Sequence, residues 1–276
     1  MNILIYTSNI KGTFNTYNIS RLISERPNHD YSFFVVNHKI KKTSLWLKFK
    51  RFIISLRDGR DAFLSDSKIL DDLICKKINI IHFEDFEKHY VKCVNGPENE
   101  PLIKKLNPDI ILQAGAGILK SNIFSLAKKA TINVHHGLAP EVRGMNSTFW
   151  CLYYGLTDLI GVTCHIIDKN LDTGDIVTQF KYKYTEGDSF IKIQEKLCKK
   201  GADLLIEAID ILEQDIDFQK ESEEVLSYYF SAVSRLDYNE LKKNNFISVT
   251  QNKVSDLKTK TKLKTITKPK LHKNAF

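Results

Sequence analysis

Apolar and polar positions along this chain switch between two periods, and the switches lay out its elements. Short apolar runs at 3–6, 31–36, 78–81 and 110–113 have the length of buried strands. Between them, apolar residues at helical spacing predict helices over 14–25, 43–57, 67–75, 102–106 and 121–129. Strands alternating with helices specify an α/β fold with a mostly parallel central sheet. Farther on, Ile132 and Val134 flank Asn133 at the end of a fifth strand, and Gly137, Pro140 and Gly144 then force the chain into a loop. Asn146 or Ser147 suits the cap of a helix reaching Tyr154, followed by strands over 161–167 and 176–184 and a long helix over 190–212.

Beyond Asp215 the pattern weakens. A strand is expected near 225–233 and a short helix near 239–243, and Lys258, Lys260, Lys262 and Lys264 then alternate with Thr and Leu. Period two there suits an edge strand or a solvated extended segment, with a phosphate-contacting arm as the alternative. The organisation expected is a body over 1–212 and a small extension over 213–276 with a lysine-rich tail.

Charge changes the picture less than its total suggests. The formal net charge is +8, but residues 252–276 hold eight lysines and one aspartate, so the rest of the chain is nearly neutral. A body without a basic field is a poor match for broad phosphate-backbone binding, and no nucleic-acid partner is expected. No uncharged apolar run approaches the roughly 18 residues of a membrane span, and the start carries no basic leader. The expectation is a cytoplasmic protein without stable membrane insertion. The helix of Trp46, Phe49, Ile53 and Leu56, with its neighbouring basic residues, reads as a sheet cover or a homodimer contact, and less readily as a membrane-surface helix. Five scattered cysteines with no Cys-x-x-Cys pair argue against a disulfide framework and a zinc ribbon, and no metal site is expected.

Candidate chemistry gathers between 131 and 179. Asn133 and His135, two apart on a strand, project to one face at its carboxyl end, where open α/β sheets place ligands. Asp172 follows in a turn with Thr173 and Gly174. An amide donor, an imidazole and a carboxylate together suit acyl transfer. Singly, each has an ordinary structural reading: a packed strand histidine, a strand-end asparagine, a turn-forming aspartate. His165, inside an apolar strand, reads as a packed or supporting residue. The polar loop after the first strand, with Ser8, Asn9 and Lys11, suits an anion or ligand contact or a plain connection, because no Gly-x-Gly-x-x-Gly or Walker pattern is present.

Several blocks in order resemble the formyltransferases that use 10-formyltetrahydrofolate. They are Asn133-Val134-His135, Leu138-Ala139-Pro140 with Arg143-Gly144, Gly161-Val162-Thr163-Cys164-His165, and Leu171-Asp172-Thr173-Gly174. The resemblance implies a Rossmann-like formyltransferase fold and a catalytic trio of Asn133, His135 and Asp172. It also implies a pocket for 10-formyltetrahydrofolate formed by Ile118, Leu119 and the segment 168–174, including Asp168, Leu171, Thr173 and Gly174. Where the family has His-Pro-Ser or His-Ala-Ser-Leu, this chain has His135-His136-Gly137-Leu138, so contacts made there by a hydroxyl are not carried over.

The run Arg143 to Trp150, followed by Tyr153-Tyr154-Gly155, is most similar to the sugar-nucleotide N-formyltransferases. The expected acceptor is a nucleotide-linked amino sugar for surface polysaccharide synthesis. His136, Arg143, Met145 and Asn146 join Ser8, Asn9 and Lys11 as substrate-binding candidates, and Phe149 and Trp150 pack either on the acceptor or in the core. The residues after 212 are too few for the C-terminal barrel of the tRNA enzymes. A formyltetrahydrofolate hydrolase and a glycinamide ribonucleotide formyltransferase stand as alternatives, and a non-catalytic RNA- or membrane-binding role for the tail is weighed against the complete trio.

Overall fold

The computed structural model describes residues 1–8, 14–36, 85–214, 222–230 and 262–269. Asn9, Lys11, the Trp46 helix, the helix over 67–75, the strand over 78–81, the helix over 239–243 and most of the lysine-rich tail lie outside the described residues.

Seven strands form the main sheet: β1 (Asn2–Thr7), β2 (Asp30–Val36), β3 (Glu87–Val91), β4 (Ile110–Ala114), β5 (Ala130–His135), β7 (Gly161–Ile166) and β8 (Ile176–Lys181). Their order is β3-β2-β1-β4-β5-β7-β8. Pairing is parallel from β3 through β5 and antiparallel at β5–β7 and β7–β8. Strand order reverses between β1 and β4, which places the crevice where such sheets bind ligands at their carboxyl ends, with β5 next to it.

Alternation along the buried strands feeds two cores. Ile3, Ile5, Phe33, Leu112 and Ile132 face α1 (Phe14–Glu25) and α5 (Phe190–Glu213), where Ile19, Leu22, Leu205 and Ile209 meet them. Leu4, Tyr6, Phe34 and Ile111 face the other way, onto Ile103 of α2 (Asn99–Leu106) and Ile123 of α3 (Ser121–Phe124). Each such side chain contributes about 1.5–3 kcal/mol by leaving water. Helix α5 starts where Ser189 caps the amide of Lys192, and Arg26 and Arg21 tie α1 to Asp210 and Asp203 on it.

The helix expected over 121–129 is only one turn. The amides of Lys128 and Lys129 donate to the carbonyls of Pro108 and Asp109 at 3.0 and 2.9 Å, which draws the chain back to the sheet. Two strands carried no apolar run: β3, a polar edge strand, and the three-residue β6 (Val142–Gly144). β6 pairs in parallel with β9 (Ser222–Phe230), which pairs antiparallel with β10 (Lys262–Pro269). Gly144, at φ 94°, permits this junction, since a Cβ there would stand 2.2 Å from the carbonyl oxygen of Phe230.

Under the β6–β9 junction lies an aromatic core. Phe149 and Trp150 of α4 (Ser147–Tyr153), with Tyr154, pack against Phe230, and Trp150 stacks on it at 5.8 Å. Asn146 occupies the N-cap position of α4 as expected, at φ 56°, with no side-chain capping hydrogen bond. Among the described residues no helix is long and apolar enough to cross a membrane.

Candidate active site

Register places the polar groups. In the antiparallel β5–β7 pair Asn133 faces His165 and His135 faces Thr163. The Thr163 hydroxyl donates to the Gly137 carbonyl at 2.7 Å and accepts from the amide of Ala139 and from Gln179. The loop after His135 is thus tied to β7 at several points.

Within that loop His135 is fixed from one side. Its Nε2 donates to the carbonyl of Val142 at 2.9 Å, with the Ser147 hydroxyl at 3.4 Å. Since a carbonyl can only accept, Nε2 carries the proton and Nδ1 is the atom turned toward the acid. A Cβ on Gly137 would stand 2.6 Å from Nε2 and 3.0 Å from the Val142 carbonyl, so glycine there makes room for the ring.

Asp172 meets both histidines. Its Oδ2 lies 3.8 Å from Nδ1 of His135 and its Oδ1 3.6 Å from Nε2 of His165, and the Gly144 amide donates to Oδ2 at 2.9 Å. Burial alone would raise this carboxyl. Interaction with His135 and His165 and the hydrogen bond from the Gly144 amide outweigh that and hold it well below the usual carboxylate range, so the group is anionic. Nδ1 of His165 donates to the carbonyl of Ile166, and its Nε2 lies 3.4 Å from the Asn133 amide nitrogen and 3.6 Å from Oδ1 of Asp172. His165 therefore bridges Asn133 and Asp172, the supporting place its position in an apolar strand suggests.

These groups line one cavity of about 590 Å³. Asn133, His135, His165 and Asp172 form its polar end, and Ile118, Leu119 and Ile167 line another part. The loop holding Ile118 is pinned by Gln113, whose amide donates to the Gly117 carbonyl, and by Asn95, whose amide donates to the Ile118 carbonyl. Asp168 organises the acid-bearing loop by accepting from the amide of Asn170 and the hydroxyl of Thr173, each at 3.0 Å. Tyr229, on β9, also reaches the wall. No local pattern marks Tyr229, because nothing near it encodes the pairing of β9 with β6.

Among the cofactor-pocket expectations, Ile118, Leu119, Asp168 and Leu171 line the cavity, while Thr173 and Gly174 lie outside its lining. Gly174 packs so closely on β7 that a Cβ would lie 1.8 Å from the Ile166 carbonyl oxygen. Among the substrate-binding expectations, Met145 lines the cavity and is 59% exposed. Ser8 instead donates to the Gly115 carbonyl at 2.6 Å, and Asn146 lies outside the lining.

His136 corrects the expectation of a substrate contact or a solvent-facing ring. Strand alternation turns it away from His135, toward α1 and α5. Its ring meets Phe14 edge-on at 3.8 Å, Nδ1 is 3.3 Å from Gln194, and Nε2 is shielded from solvent. Burial pushes its pKa down to about 4, so the ring is neutral near pH 7. Phe149, Trp150, Tyr153 and Tyr154 are likewise buried core, not an acceptor platform. Arg143 also lies outside the lining, and its contacts run to Ser227 and Leu171 instead.

Comparison with known proteins bears on the same residues. A methionyl-tRNA formyltransferase of Sulfurihydrogenibium sp. (strain YO3AOP1) is 38% identical over 139 residues, covering 50% of this chain and 44% of that protein. The chain spans about half the length of the relatives it matches in this way. Among solved structures, a sugar N-formyltransferase from a Shewanella species overlays with a TM-score of 0.51 at 18% identity, covering 87% of this chain and 79% of that one. A phosphoribosylglycinamide formyltransferase from Bacillus halodurans overlays with a TM-score of 0.54 at 13% identity, covering 79% and 97%. Both have the same fold. Residues 65–209, which carry Asn133, His135 and Asp172, match the formyl transferase domain, and the chain belongs to that family.

Proposed function

We propose that this chain moves the formyl group of 10-formyltetrahydrofolate to the amine of a nucleotide-linked amino sugar. The observation that carries it is the convergence of Asn133, His135 and an anionic Asp172 at one end of a single cavity. Its volume of about 590 Å³ is within the range for small-molecule sites, and its apolar wall suits a flat heteroaromatic donor.

The neutral amine nitrogen attacks the formyl carbon, and negative charge develops on the formyl oxygen. The Asn133 amide and, once the ring takes a second proton, the Nδ1–H of His135 are the donors available to that oxygen, each such donor being worth about 2.7–4 kcal/mol. Asp172, facing both imidazoles, balances the positive charge of His135 and is the base for the proton released by the amine, directly or through one water. The bond from the formyl carbon to the folate nitrogen then breaks, and tetrahydrofolate leaves with a proton.

The choice of acceptor rests on the Arg143–Trp150 run and on the Shewanella sugar N-formyltransferase, whose fold overlays 87% of this chain. The sequence relatives named as methionyl-tRNA formyltransferases support a second reading, transfer to an aminoacyl-tRNA. The nearly neutral body favours the small acceptor. Incubating the protein with 10-formyltetrahydrofolate and a panel of nucleotide-linked 3-amino and 4-amino sugars should add one formyl group by mass spectrometry. Formylation of methionyl-tRNA or glycinamide ribonucleotide alone would overturn the acceptor. Rapid formate release with no amine present would overturn transfer in favour of hydrolysis.

A further inference from the structure

We propose that Arg143 is a positioning residue that sets the Asp172 carboxylate, with Ser227 of β9 as its anchor. This rests on the assignment of Asp172 to the reaction. Asp172 has φ 52°, in the left-handed region that non-glycine residues seldom occupy, and such a conformation persists only where its surroundings over-determine it. Two consecutive residues of β6 supply that determination. The guanidinium of Arg143 donates through Nη1 to the carbonyl of Leu171 at 3.2 Å. That carbonyl belongs to the peptide unit entering Asp172, so holding it fixes the plane from which φ of Asp172 is measured. The Gly144 amide then holds the carboxylate itself at 2.9 Å.

Arg143 needs its own anchor, because a long side chain held by one bond orders nothing. Its Nε donates to the Ser227 hydroxyl at 2.8 Å, and that hydroxyl donates onward to the Pro140 carbonyl at 2.6 Å. Ser227 is fully buried and Arg143 is 9% exposed. The Tyr229 ring lies 5.9 Å from the guanidinium carbon. A buried cation is costly unless its N–H groups find acceptors, and the acceptors here are a β9 hydroxyl and the loop that carries the acid. Through Arg143, Ser227 of β9 thus braces the loop that carries the acid.

The test is a double-mutant cycle on formyl transfer in the full-length chain. R143M should lower kcat by roughly 100-fold, the scale of a misplaced catalytic group, while KM for both substrates changes by less than about threefold. R143K, which keeps the charge but not the two-armed geometry, should recover only part of the loss. In a D172N background R143M should cost less than about twofold more, because the group it positions is already gone. Unchanged kcat in R143M, or losses that multiply in the double variant, would overturn the proposal. If R143M does not fold, S227A takes its place, with the same requirement that its loss disappear in D172N. If the wild-type chain transfers no formyl group, urea unfolding of the same cycle separates the two ideas. Non-additive midpoints keep the brace while the assigned reaction fails, and additive midpoints remove the brace.

Discussion

Nδ1 of His135 stands 3.8 Å from Oδ2 of Asp172, and the same oxygen accepts the amide of Gly144 at 2.9 Å. The acid therefore belongs to the imidazole and to the backbone at once, so its removal has two separable effects. D172N keeps the shape and tolerates the left-handed backbone. Its kcat should fall by about 10²–10⁴, the range for losing a general base, as measured by steady-state formyl transfer.

The same carboxylate ties stability to pH. Its folded pKa is depressed, so its contribution is fully present above the unfolded value of about 3.9 and is lost as pH falls through the folded value. The stability difference between wild type and D172N should hold from pH 7 down to about 5 and shrink in stronger acid. Tm recorded across that range checks it, and a gap that widens in acid would contradict the assignment.

In the proposed reaction Asn133 donates to developing charge on the formyl oxygen, so its effect falls on the rate alone. N133A should lower kcat by about 10²–10³ and leave Tm within a few degrees, since the side chain is half-buried at a strand end. Rapid-quench measurement of the chemical step would separate this from slow product release.

Gly137 leaves no room for a methyl group between the His135 ring and the Val142 carbonyl. G137A should displace the imidazole, lowering kcat by roughly 100-fold at a stability cost of about 1–3 kcal/mol. Denaturant titration beside the kinetics decides whether the ring moved or the loop unfolded.

His136 titrates in the opposite sense to a salt-bridged histidine. With a folded pKa of about 4 against an unfolded value of 6.5, its neutral form is favoured by folding. Its contribution is fully present above pH 6.5 and is lost as pH falls toward 4, by at most about 3 kcal/mol. H136F should flatten Tm across that window and leave turnover at pH 7.5 near that of wild type.

Much of the frame was legible because strand and helix periods are local. The helix over 14–25, the strand ending at His135 and the long helix from Phe190 match what spacing alone predicts. The convergence of Asn133, His135 and Asp172 was legible because the blocks that carry them occur in order. What escaped depends on partners distant in sequence. β3 is a polar edge whose pairing with β2 gives no apolar signal, and β6 becomes a strand only because β9 lies against it. His136 looked available because it adjoins His135, yet one residue on a strand reverses the face. Arg143 was placed with the acceptor because the Arg-Gly pair is part of a motif. Its partner Ser227 is 84 residues away, and no local pattern links them.

The second sheet has a consequence for how such a chain can change. Tyr229 and Ser227 ride on one strand, one at the chamber wall and the other on the tether behind the acid. Drift in that strand can alter which molecule is admitted and how fast it reacts while every residue of the trio stays the same. Grafting this strand between related chains is therefore a way to trade selectivity against turnover without editing the chemistry.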